Sequence, residues 1–138
     1  MPTQRPDLNG VKLQLPGSAP IYLVDNGVRR WIPNPQVFNA LFRDWNGVCQ
    51  DPDIPEIQRG PDIPATAILF RCFDSPKVFL LDHNTQNQNV KRWITSPAVM
   101  DHYNFSWTQI HIWNVPLNTI GIPDGSNISN PPNWNQPE

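Results

Sequence analysis

Laid over itself with an offset of 62 residues, the chain matches. RRWIPNPQVFNALFRDW (29–45) lies over KRWITSPAVMDHYNFSW (91–107), pairing Trp31 with Trp93, Pro35 with Pro97, Val37 with Val99 and Trp45 with Trp107. Upstream the offset is 57: Ile21 falls on Val78, Leu23 on Leu80 and Asp25 on Asp82. The difference of five is an insertion within DHNTQNQN, the turn region of the second copy. This self-similarity restricts the fold more than any other property of the 138 residues. One supersecondary unit must stack on its copy to bury its apolar face. Pro-Asp at 6–7, 61–62 and 123–124 punctuates the units. The expected organisation is a single domain over 1–125, made of repeats at about 6–60 and 61–125, followed by a polar Pro/Asn-rich tail over 126–138.

Each unit reads as a strand (VKLQL or AILFR), a β-hairpin and a short helix. In IYLVDNGVRRWI the turn is Asn26-Gly27, the pair preferred where both central residues need positive φ. The second copy replaces it with a polar loop over 83–89. Asn34-Pro35 and Ser96-Pro97 place a capping side chain before a proline at the first helical position, and the helix after each is about two turns long. The predicted fold class is α+β, β-dominant: two tandem repeats of about 60 residues, each an antiparallel three-stranded meander with short helices, related by pseudo-twofold symmetry.

The two-residue turn sets the hairpin register. Asp25 pairs with Val28, Leu23 with Arg30 and Ile21 with Ile32, and these side chains share one face, expected to be the core. Tyr22, Val24, Arg29 and Trp31 share the other. In the second copy that other face carries Phe79, Leu81, Lys91 and Trp93. An aromatic pair therefore sits beside a cation in both copies.

Composition narrows the function. Seventeen prolines among 138 residues favour many short elements and turns, and six Trp and six Phe provide much of the burial. Net charge is −2, and the basic residues cluster no further than the pairs Arg29-Arg30 and Lys91-Arg92, so nucleic-acid binding by phosphate neutralisation is not expected. No apolar run reaches membrane-spanning length. The N-terminus MPTQRPDLNG has no apolar signal region, which fits a cytoplasmic chain, export by another route or a trimmed one. Cys49 and Cys72 are compatible with one disulfide or with two buried thiols.

No catalytic arrangement emerges. His83, His102 and His111 lack metal-ligand spacing, and there is no G-x-S-x-G, P-loop or G-x-G-x-x-G. The repeat equivalence of Asp25 and Asp82 brings two acids together, but no sequence feature gives either a raised pKa. The expectation is a protein that is not an enzyme, with no cofactor and no metal.

The core YLVDNGVRRWIPNPQVF, with the Trp that follows it, resembles a repeat of bacterial envelope and secreted proteins. The general form of that repeat is Y-hydrophobic-V-x-N-G-x-K/R-R-W-I, Ser/Asn-Pro, Phe and Trp-x-x-Val. The resemblance covers 11–63 and 68–125. It implies an accessory module beside enzymes or cell-wall attachments, and hence binding rather than catalysis.

Trp31 and Trp93 read in two ways: as core residues packed on Tyr22 and Phe79, or as platforms on which the C–H face of a sugar ring stacks. On the second reading Asp25, Asn26, Arg29, Asp82 and Lys91 form a polar rim that hydrogen-bonds hydroxyls. Arg30 and Arg92 fall on the core face, where a guanidinium must be paired, either to carbonyls at a loop or helix end or to a ligand. Trp45 and Trp107 are assigned to packing. Trp113 and Trp134 have no counterpart in the first copy and are candidates for an exposed contact. The function expected is a small lectin-like, carbohydrate-binding protein with about one shallow site per repeat. The alternatives are a protein-interaction module using exposed aromatics, or an accessory domain of an envelope protein. The expected partner is a glycan or glycoconjugate, and a homo-oligomer is compatible with the chain.

Overall fold

A computed structural model describes residues 2–84 and 86–129. The described residues are α+β and β-dominant, with two four-stranded mixed sheets and two α-helices. In the first half β1 (Lys12–Gln14) pairs antiparallel with β2 (Ile21–Asp25), which turns back into β3 (Val28–Trp31). Helix α1 (Pro35–Leu41) follows, and β4 (Val48–Gln50) returns parallel to β1, giving the order β3-β2-β1-β4. The second half runs β5 (Leu69–Cys72), β6 (Val78–His83), β7 (Asn89–Ile94), α2 (Pro97–Tyr103) and β8 (His111–Trp113), in the order β7-β6-β5-β8. No helix among the described residues is long and apolar enough to cross a membrane.

Local chemistry explains these elements. Asn26 and Gly27 hold φ of 53° and 78°, the positive values that a tight two-residue hairpin turn needs. The register is the expected one, with Asp25 opposite Val28, Leu23 opposite Arg30 and Tyr22 opposite Trp31. In the second hairpin the strands run on through His83 and resume at Asn89, so the loop is shorter than 83–89. Asn34 Oδ1 accepts from the Val37 N–H at 2.9 Å and Ser96 Oγ from the Val99 N–H at 3.3 Å, capping two seven-residue helices that each begin with proline.

The expected three-stranded meander is corrected by β4 and β8. Three residues each, they are too short to show strand alternation in sequence, and they become strands only because the open edges of β1 and β5 accept them. The segment closing each half also shifts the repeat register. Arg29 N donates to Gln58 O and Lys91 N to Pro123 O. Gly60 N donates to Arg29 O and Gly125 N to Lys91 O, all four at 2.9 Å. Here the offset is 65, so Pro61-Asp62 corresponds to Ser126-Asn127 and not to Pro123-Asp124. Past residue 125 the Ile128 side chain is buried, and its N–H donates to Trp93 O at 2.8 Å.

One apolar cluster joins both sheets and both helices, drawing Leu23 and Ile32 from the first hairpin, Leu69, Leu80 and Ile94 from the second sheet, and Phe38, Leu41, Met100 and Tyr103 from the helices. The halves also meet through backbone: Arg43 N donates to Asn104 O at 2.9 Å and Ser106 N to Leu41 O at 2.8 Å. A smaller cluster of Leu13, Val24, Ile54 and Ile57 lies on the opposite face of the first sheet, with Tyr22 packed against it.

Candidate functional site

The most polar part of the interior lies where the two hairpins meet. Arg30 and Arg92 are 5 % and 3 % exposed, and Asp25 and Asp82 are both 2 % exposed. Each guanidinium grips the carboxylate of the other half with two bonds. Arg30 Nη1 and Nη2 donate to Asp82 at 2.8 Å each, and Arg92 Nη1 and Nη2 donate to Asp25 at 2.5 and 3.0 Å. Each also donates once to the aspartate of its own hairpin, at 2.9 and 3.0 Å. The Nε atoms are taken by loop carbonyls, Pro61 O at 3.0 Å and Ser126 O at 2.9 Å. The expectation that these arginines bind loop carbonyls therefore holds, and the closed ring of two acids and two bases is the part it lacked.

Electrostatics keep the ring ionised. Burial alone would raise the Asp25 carboxyl, but Arg92 and then Arg30 outweigh it and hold it below the ordinary carboxylate range. Asp82 is held low in the same way, opposed by burial and lowered chiefly by Arg30. Buried charges of this kind are tolerable only when paired and hydrogen-bonded, and here four donors of each guanidinium are used. The ring needs close backbone approach. A Cβ at Gly60 would stand 2.3 Å from Val28 Cγ2, and one at Gly125 would stand 2.9 Å from Val90 Cγ2.

This geometry revises the predicted polar rim. Asp25 and Asp82 face inward to the arginines, and with Asn26, Arg30 and Arg92 they line a cavity of about 370 Å³. Phe79, 3 % exposed, is a packing residue stacked on Phe70 with ring centroids 5.5 Å apart. Asn26 is exposed at its turn, with Nδ2 3.5 Å from Ser126 Oγ. Tyr22 is half-buried beneath the Arg29 guanidinium, 5.1 Å from the ring centroid, and Arg29 Nε donates to Ile57 O. Lys91 Nζ donates to Ile122 O and pairs with Asp124, both at 2.7 Å. Trp93 is half-buried, with the Lys77 ammonium 4.5 Å from its ring centroid. The predicted aromatic–cation faces therefore exist, but most of their polar groups are already engaged within the protein.

The open aromatic surface lies elsewhere. Trp45 and Trp107, expected in the core, are 48 % and 47 % exposed. Trp45 stacks one face on Phe38, centroids 3.9 Å apart and planes 11° from parallel, and its Nε1 donates to Asn39 Oδ1 at 2.9 Å. Beside it runs a groove of about 270 Å³ whose wall includes Trp31, Pro20, Pro33 and Asn34. Trp107 borders a wider depression of about 620 Å³, shared with Phe73, Ile112, Arg71, Asp74 and Ser75. Phe73 and Ile112 are 53 % and 59 % exposed. The repeat marked these tryptophans as equivalent, but sequence spacing could not say on which side of the cap they emerge. Trp113 is half-buried against Phe70, centroids 4.1 Å apart, and Trp134 lies outside the described residues.

Both cysteines are free thiols, Cys49 exposed and Cys72 buried. No group of three or more metal-ligating side chains gathers among the described residues. The chain matches no family model, no curated protein and no solved structure.

Proposed function

We propose that the protein is a non-catalytic glycan-binding module. Its two halves would be copies of one unit about an approximate twofold, and its binding surfaces would centre on Trp45 and Trp107. The observation that carries this reading is the pair of repeat-equivalent tryptophans, each half-exposed at the edge of an aromatic-lined hollow. A sugar ring offers an apolar C–H face and a rim of hydroxyls. An indole held flat by a ring behind it, as Trp45 is by Phe38, is rigid and loses little freedom on stacking. The rim of the second hollow is Arg71, Asp74 and Ser75, and that of the first is Asn34. Each already holds a bond within the protein: Arg71 to the Cys72 and Ser75 carbonyls, Asp74 from Leu117 N, Ser75 from Lys77 N and Asn34 from Val37 N. Each would offer a sugar its remaining donors and acceptors. The two hollows differ in lining, so the two sites would differ in preference, and joining them raises apparent affinity without new contacts. A binding role also accords with the resemblance to envelope-protein repeats.

The first groove supports a second reading. Its walls are nearly all apolar and rich in proline and tryptophan, the lining that takes extended proline-rich peptides. A glycan array probed with the purified protein, alongside a proline-rich peptide library, separates the two. Glycan binding that is competed by free sugar, with stoichiometry by calorimetry falling from about two towards one in Trp45→Ala or Trp107→Ala, supports the module as proposed. A blank array with peptide binding lost in Trp45→Ala replaces it with the second reading.

A further inference from the structure

Lys12 occupies a position that packing assigns to leucine. It lies in β1 opposite Leu23, as Leu69 lies in β5 opposite Leu80, and Leu69 is wholly buried. Lys12 is itself only 3 % exposed. The other half thus fills the same place with an apolar side chain, and burying an ammonium here has a cost that folding does not require. Among the described residues Lys12 Nζ makes no hydrogen bond or ion pair. Its partners are the faces of Phe42 and Phe38, 4.4 and 5.5 Å from the ring centroids. These rings compensate the charge in part.

Lys12 also borders a cavity of about 460 Å³, whose wall adds Asp44, Cys49, His102 and Asn104. Asp44 is fixed at that wall, its Oδ1 accepting from Asn46 N at 3.0 Å and Asn104 Nδ2 at 3.3 Å. Burial, with Arg43 adding to it, pushes the Lys12 amine down to about 8 against the opposing pull of Asp44 and Cys49. Roughly a tenth of such an amine is neutral at pH 7, far more than for an ordinary lysine. Desolvation beside an apolar wall is a recognised way to make a lysine nucleophilic.

We propose that this cavity is a binding site for small aldehydes, which Lys12 holds as a reversible imine. The neutral Nζ lone pair forms a bond to the carbonyl carbon, and the π pair moves onto oxygen, which takes the proton released by nitrogen. The nitrogen lone pair then forms the C=N bond as the C–O bond breaks, and the hydroxyl leaves with a proton as water. The balance is amine plus aldehyde giving imine plus water, with no oxidant or reductant. Asp44 carries protons between nitrogen and oxygen. The site is independent of the tryptophan hollows.

The protein contains two other lysines, Lys77 and Lys91, which serve as internal controls. The folded protein is treated with glycolaldehyde and cyanoborohydride near pH 7.5, and the reduced adducts are located by peptide mass mapping. The expected result is labelling of Lys12 roughly tenfold or more faster than Lys77 and Lys91, with a pH profile rising around 8 and a slower rate in Asp44→Asn. Lys12→Leu, which copies the other half, should fold and lose the fast adduct. Labelling of Lys12 no faster than the other two lysines in the folded wild type overturns the proposal, whatever the variants do.

Discussion

Arg30 and Arg92 hold the two hairpins together with charge in a place where most small domains use apolar packing. Removing one member leaves its partners buried and uncompensated, so Arg30→Met should lose about 3–5 kcal/mol in urea unfolding. Arg5→Ala, which breaks an exposed, solvent-screened pair with Asp7, should leave the urea midpoint nearly unchanged. The ring also sets the acid limit. Asp25 and Asp82 titrate below their unfolded value of about 3.9, so their contribution is complete above that range and is lost as pH falls through the lower folded values. Lys12 gives the same sign at the alkaline end. Its amine is held at about 8 in the folded chain, so the unfolded chain binds more protons above that pH. Stability should rise between pH 8 and about 10.4, and that rise should be absent in Lys12→Leu. Thermal melts of both proteins across this range check the sign.

At the scale of elements, turns and caps carry the local instructions. Replacing Asn26-Gly27 with two alanines forces side chains into positive φ, which costs about 1–2 kcal/mol per residue and should show directly in the melting temperature. Asn34→Ala and Ser96→Ala each remove an N-cap bond and should cost about 1 kcal/mol. Gly60→Ala should do worse than its loop position suggests, because the added methyl meets Val28 inside contact distance, next to the arginine ring. These elements were legible because their signals are local: a two-residue turn, a capping residue before proline and an alternating strand. Strands β4 and β8 were not, because three residues carry no period, and their pairing depends on an edge supplied by residues far away in sequence.

For the whole molecule, the ring and the shared apolar cluster join the halves too closely for either to unfold alone. Far-ultraviolet dichroism and tryptophan fluorescence should report one coincident transition. Two transitions would mean that the halves are separable bodies. With Cys49 exposed and Cys72 buried, a thiol reagent should modify one cysteine in the folded chain and the second only on unfolding, and a reductant should leave the melting temperature unchanged.

The hairpin register, the capped helices and the inward direction of Arg30 and Arg92 all follow from sequence, because periodicity and turn chemistry act between near neighbours. What those arginines meet was decided by tertiary structure. Asp25 and Asp82 lie 57 residues apart in the chain, and only stacking of one hairpin on the other turns each from a rim candidate into the partner of the opposite guanidinium. The same holds for the aromatic residues. Whether a tryptophan is core or surface depends on what covers its second face. The residues after each helix leave Trp45 and Trp107 about half exposed, whereas Phe79 is covered by Phe70 of β5, a strand legible in sequence whose pairing with β6 only the folded sheet supplies. The position of Lys12 is legible in the repeat as the counterpart of Leu69, but its burial over two phenylalanine rings beside a cavity exists only once α1 packs across β1.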